Sequence, residues 1–173
     1  MIENNFLENV KKLFEQMKEQ GEKAIAQIPD EKLFWLYNPE TNSICIIVKH
    51  VIGNMLSRFS DFLHSDGEKS WRNRDNEFEN EIMTRKSLME YWNTGWECLF
   101  TTLDCLGPED LIRNVKIRNE NHTVLEALNR QIAHYSSHLG QIIFLGKMIC
   151  GPDWHTLSIK KGESVAFNVE KGL

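Results

Sequence analysis

Hydrophobic positions in this chain recur at helical spacing in four segments. The first, about Glu3 to Gln27, places Phe6, Val10, Leu13, Phe14, Met17 and Ala24 on one stripe, and Pro29 stops it. A loop containing Pro39 leads to the second, from about Ser43 to Leu63, with Asn42 or Ser43 as N-cap. Its apolar residues Ile44, Ile47, Val48, Val51, Ile52, Met55, Phe59 and Phe62 cover more than half of the circumference, which predicts a central helix. The third begins at Thr84, carries Leu88, Trp92, Trp96, Leu99 and Leu103, and ends near Leu106 at Gly107-Pro108. The fourth opens with a capping box, Thr123 with Glu126, and runs through Leu128, Ile132, Leu139 and Ile142 to about Met148, before Gly151-Pro152.

Four helices of about 20 residues or more, each about 30 Å long, predict an all-α four-helix bundle. One domain spanning residues 1–173 is expected from the length. Between the second and third helices, His64 to Met83 shows no clear periodicity and forms a long loop, of the kind that is often functional or disordered. Val115 to Arg118 alternates weakly, as a short extended segment does. The tail after Trp154 reads as mostly non-helical, and its Trp154, Leu157, Ile159, Val165 and Phe167 predict that it packs on the bundle.

Composition narrows the partners. A net charge of -5 and the lack of a basic stripe argue against nucleic acid. The start, MIENNFLENVKK, lacks the basic, apolar and small-residue regions of a secretory signal. The longest apolar stretch, Ile44 to Val48, is far too short to span a bilayer, so no membrane association is expected. Cys45, Cys98, Cys105 and Cys150 form no CxxC pair, and Cys98 and Cys105 on one helix face are geometrically barred from a mutual disulfide. Free thiols in a reducing cytoplasm follow.

The chemistry concentrates in histidines. His134 and His138 are four apart on the fourth helix, which stacks them on one face, close enough to share an ion. His50, in the middle of the apolar second helix, is the candidate third ligand. On that helix His50, Asn54, Ser57 and Asp61 make a polar stripe, and on the fourth Gln131, His134, His138 and Gln141 make another. Two polar stripes on core helices are costly unless they satisfy each other. A divalent metal with hydrogen-bonded partners behind its ligands does so economically. The competing reading is a solvated HxxxH pair and a hydrogen-bonded core histidine. Tyr135, Ser136 and Ser137 separate the pair, so the HExxH of zinc proteases is absent. Asn54, Asp61 and Gln141 are the candidate catalytic side chains. Asp61, His64 or Gln141 could add a fourth ligand.

In and beside the long loop, Arg58, Lys69, Arg72 and Arg74 cluster as candidates for binding an anionic substrate or thiol cofactor. Asp66, Glu68, Asp75, Glu77 and Glu79 interleave with them, so a self-paired, solvated loop is the competing reading. Trp92 and Trp96 read as core.

The mid-helix histidine in "IIVKHVIGN", followed by "AHYSSHLGQI", resembles the DinB-like (DinB/YfiT) family of metalloenzymes. The blocks "SRFSDFLHSDGEKSWRNRDNEFE" and "WHTLSIKKGESVAFN" resemble one uncharacterised bacterial branch of it, apart from Lys160 where that branch often has proline. The resemblance spans nearly the whole chain. It implies a four-helix bundle, a histidine triad on His50, His134 and His138, zinc or nickel as the ion, and a homodimer. It also implies, from relatives that are thiol-dependent transferases or a thiol-using isomerase, a low-molecular-weight thiol as cosubstrate.

Three imidazoles leave a coordination position open, as in catalytic sites, and ligand type does not choose between zinc and nickel. The leading expectation is a metal-dependent enzyme acting on a small molecule, with thiol-dependent S-transfer foremost and hydrolysis, for which Asp61 would be the base, behind it. The alternative is a non-catalytic metal-binding or stress-response protein with a structural or vestigial ion.

Overall fold

The computed structural model describes residues 2–81 and 83–172. Helix α1 (Ile2–Ala26) buries Val10, Phe14, Met17, Ala24 and Ile25 along one face. Helix α2 (Ile44–Phe59) starts where the Ser43 hydroxyl accepts the Ile46 N–H, and buries every residue except Leu56. A helix this apolar has no solvent face, so it fills the centre. It stops four residues short of the expected Leu63. The chain turns at Ser60, and Asp61 adopts a left-handed φ of 53°, a conformation a short polar side chain tolerates.

Helix α3 (Arg85–Asp104) is capped by Thr84 and helix α4 (Val124–Cys150) by the Thr123–Glu126 box. In that box Glu126 N–H bonds Thr123 Oγ1 at 3.2 Å and Thr123 N–H bonds Glu126 Oε2 at 2.7 Å. Helix α2 packs chiefly on α3, and α1 on α4. A Cβ on Gly95 would sit 2.7 Å from Ile52 Cγ2, so glycine sets the closeness of the α2–α3 pair. Phe14, Trp92, Trp96 and Tyr135 interlock at the centre with ring centroids 5.5–6.4 Å apart. The two tryptophans are core, as their spacing predicts.

The weak alternation near Val115 belongs to an antiparallel hairpin, strands β1 (Asn114–Ile117) and β2 (Glu120–Thr123). Val115 and Ile117 point inward while their neighbours face solvent. The two-residue turn places Arg118 at φ 55° and Asn119 at φ 65°, the positive pair that matches strand twist in tight hairpins. The tail departs from expectation in two ways. Trp154 and Leu157 pack against the bundle, but Ile159, Val165 and Phe167 are exposed, and a seven-residue helix α5 (Ser164–Glu170) forms in a stretch read as non-helical. All four cysteines are free. No helix among the described residues is long and apolar enough to cross a membrane.

Candidate metal centre

The second and fourth helices bring their histidines together. His50, from α2, and His138, one turn beyond His134 on α4, both aim Nε2 at His134 Nε2, at 3.3 Å and 3.1 Å. One ligand atom from each lies within 4.8 Å of the others. Around a tetrahedral ion with nitrogen ligands at about 2.05 Å, neighbouring nitrogens are about 3.3 Å apart, so the two short separations have the required size. His50 is buried, while His134 and His138 are half-buried. Among the described residues the group has three members, and no carboxylate or thiolate completes a closed four-ligand set.

Two of the three rings are oriented from behind. His50 Nδ1–H donates to Glu77 Oε2 at 3.0 Å, which leaves Nε2 as a lone pair facing the other rings. His138 Nδ1–H donates to Gln141 Oε1 at 3.1 Å, with the same consequence. Carboxylates and amide oxygens commonly hold metal-ligating imidazoles in this way. His134 Nδ1 is buried with no hydrogen-bond partner among the described residues. Three converging lone pairs repel one another, so a proton on His134 Nε2 or a cation is needed between them.

The electrostatics favour the neutral form of His134 and His138. Burial, then the neighbouring His138, His50, Arg58 and Arg72 charges, pushes the His134 imidazole down to about 3. Burial also lowers His138, against the opposing hydrogen bond to Gln141. A neutral imidazole is the form that binds a metal.

Glu77 sits in a short 3-10 turn (Asp75–Phe78) that covers α2. Its carboxylate takes both arms of Arg72, from Nε at 2.7 Å and from Nη2 at 2.9 Å, besides His50. Burial alone would raise this carboxyl, but the bonds from His50 and Arg72 hold it below the usual range. The approach depends on Gly53, one turn after His50, where a Cβ would lie 2.3 Å from Glu77 Oε1.

The sequence-predicted residues divide. Asn54 is buried beside the histidines and accepts the Tyr135 hydroxyl at 3.0 Å, so its stripe is met by Tyr135 rather than by Gln131. Gln141 supports His138 from behind. Asp61 leaves the stripe because α2 ends before it, and with His64 it lines a separate depression of about 220 Å³ beside Phe59 and Cys105. Ser57 donates instead to the Gly67 carbonyl at 2.6 Å.

Of the anion-binding candidates, Arg58, Arg72 and Arg74 line a cavity of about 160 Å³ that includes His50 and His134. Lys69 does not; it turns back to Ser65 and to the Asp66 carbonyl. Sequence reasoning missed two arginines on the same cavity, Arg118 from the hairpin turn and Arg130 from α4. Arg130 was findable, since it precedes His134 by one helical turn. Glu77 was not, being one of several acids in an aperiodic loop. A larger cavity of about 400 Å³ touches Arg72 and Glu77 but none of the three histidines.

No curated protein matches the chain. Residues 1–163 match the family described as "Protein of unknown function (DUF1572)", a likeness that covers all four long helices and every residue of the histidine cluster. The chain belongs to that family.

Proposed function

We propose that this protein is a divalent-metal-dependent enzyme acting on a small molecule, with His50, His134 and His138 holding zinc or nickel. The observation that carries it is the convergence of three Nε2 atoms, with the His50 ring held inward by Glu77 and the His138 ring by Gln141. When bound, such an ion acts as a Lewis acid on a substrate oxygen or holds a thiol as its thiolate. The residues of the chain do the rest. Glu77 keeps the Nδ1 proton on His50, Gly53 admits that carboxylate, and Asn54, its oxygen engaged by Tyr135, has its amide N–H groups left to orient a substrate.

Thiol-dependent S-transfer is the reaction class that the resemblance to DinB-like proteins favours. In it the thiol loses its proton to solvent, a C–S bond forms at an electrophilic carbon, and the leaving group departs with its electron pair. Hydrolysis is less well supported, because Asp61 lies away from the histidines and Glu77 is committed to His50 and Arg72. The same proposal takes the chain to be cytoplasmic, in keeping with its free thiols, and a homodimer, as the resemblance implies, and light scattering of the purified protein reads the second point directly.

The test is elemental analysis of the protein as purified, beside His134→Ala. About one equivalent of metal in the wild type and none in the variant is expected; equal content in both refutes the triad. Thiol consumption against a panel of electrophiles, with and without chelator, then decides the activity. A metal whose removal lowers the melting temperature, with no thiol consumed in either state, would establish the non-catalytic alternative.

A further inference from the structure

The charges around the smaller cavity do not balance. Five guanidinium groups line it, and its lining contains no carboxylate among the described residues. Two carboxylates serve those arginines from outside. Glu77 is taken by Arg72, while Glu68 meets Arg58 at 3.5 Å and Arg118 at 3.1 Å. Arg74 rests over the Phe78 ring, 5.3 Å from its centroid, and makes no ion pair among the described residues. Arg130 has neither an ion pair nor a hydrogen bond among them. Arg58 Nε and Arg72 Nη1 are buried without a hydrogen-bond acceptor. The two buried donors are costly until an acceptor meets them, and the exposed Arg74 and Arg130 add unpaired positive charge at the same cavity.

The backbone is arranged to bring one of these arginines in. Asp66 accepts the N–H groups of Arg118 at 2.9 Å and Asn119 at 2.6 Å, which staples the hairpin turn to the loop after α2. Gly67 N–H bonds the Lys116 carbonyl at 2.8 Å, and the Gly67 carbonyl in turn receives Arg58 and Ser57. Segments distant in sequence are thereby locked together around one cationic wall.

We propose that this cavity recognises an oxyanion, a carboxylate or phosphate group, carried by the small molecule that reaches the three histidines. The inference deepens the metal-dependent reading and rests on it for the word substrate; anion binding itself is measured independently. Guanidinium forks suit planar carboxylates and phosphates, and His50 and His134 in the same lining put the anion beside the metal ligands. At about 160 Å³ the cavity is smaller than a typical whole-ligand pocket, so it takes a head group while the rest of the molecule extends outside.

Isothermal titration calorimetry at low salt tests this, with succinate and inorganic phosphate as probes and succinamide as the neutral control. Metal-free and zinc-loaded protein are both titrated, in the wild type and in Arg74→Gln, Arg130→Gln and the double variant. Both arginines are exposed, so the fold should survive their replacement. Saturable binding of one anion is expected, about tenfold weaker in each single variant and lost in the double, with succinamide silent. The stronger of succinate and phosphate names the group. Undiminished binding by the double variant, equal binding of succinamide, or no saturable binding of either anion overturns the proposal. Arginine-dependent anion binding by a protein that takes no metal would refute the metal reading alone; full metal loading without anion binding would refute only this one.

Discussion

Replacing Glu77 by glutamine keeps the side chain's shape and removes its charge. In the wild type Oε1 receives Arg72 Nε at 2.7 Å, and Oε2 receives both Arg72 Nη2 at 2.9 Å and His50 Nδ1 at 3.0 Å. Glutamine offers one acceptor oxygen, so its amide nitrogen meets the Arg72 Nε–H in one orientation and both the Arg72 Nη2–H and the His50 Nδ1–H in the other, donor against donor. The Arg72 side chain is 2 % exposed and cannot turn to solvent. A broken buried ion pair costs about 3–5 kcal/mol, and the lower end applies here, because Glu68 remains 4.0 Å from Arg72 Nη1. For a chain of this size about 3 kcal/mol corresponds to a fall in melting temperature of about 6–12 °C. The metal effect is separate: loss of a partner behind a ligating histidine lowers affinity about 10- to 100-fold. Competition against a chromophoric chelator, well below both melting temperatures, measures that affinity for zinc and nickel. A variant that melts lower but binds either ion within twofold of the wild type would show that Glu77 is a structural counter-ion to Arg72, not a support for the site.

The other expectations follow from neighbouring contacts. Gly53→Ala puts a methyl against a carboxylate held on three sides, so it should mimic Glu77→Gln in metal affinity; unchanged titration would mean that the turn carrying Glu77 moves freely. Asp66 is kept below its usual range because, although burial raises it, backbone N–H groups of Glu68, Asn119 and Arg118 bond its charged form. A carboxylate with a lowered folded-state pKa stabilises above its unfolded value of 3.8 and loses that contribution as pH falls through the folded value. Urea melts of wild type and Asp66→Asn should therefore differ at pH 7 and draw together as the pH falls below 3.8, and a constant difference would refute the link. Thr123→Ala removes the hydroxyl that caps α4 and should cost about 1 kcal/mol in the same assay, with metal content unchanged.

The sequence alone determined what depends on local periodicity. Apolar spacing with Ser43, Thr84 and Thr123 located the helices, because caps and stripes act within a few residues. Two polar stripes on core helices made a shared site of His50 with His134 and His138 plausible, and the family resemblance pointed to the same three residues. Tertiary structure decided everything that depends on a distant partner or on where a helix stops. The end of α2 at Phe59 removed Asp61 from its stripe, a matter of one left-handed residue that helical spacing does not encode. Glu77 gained its role because an aperiodic loop folds back over Gly53, and Arg118 because Asp66 holds a hairpin turn against it. The tail's apolar residues looked like core and are exposed beyond Leu157, since hydrophobic character shows what could be buried and only the fold shows what is. The histidines were legible because helices repeat; the carboxylate and arginines around them were not, because loops do not.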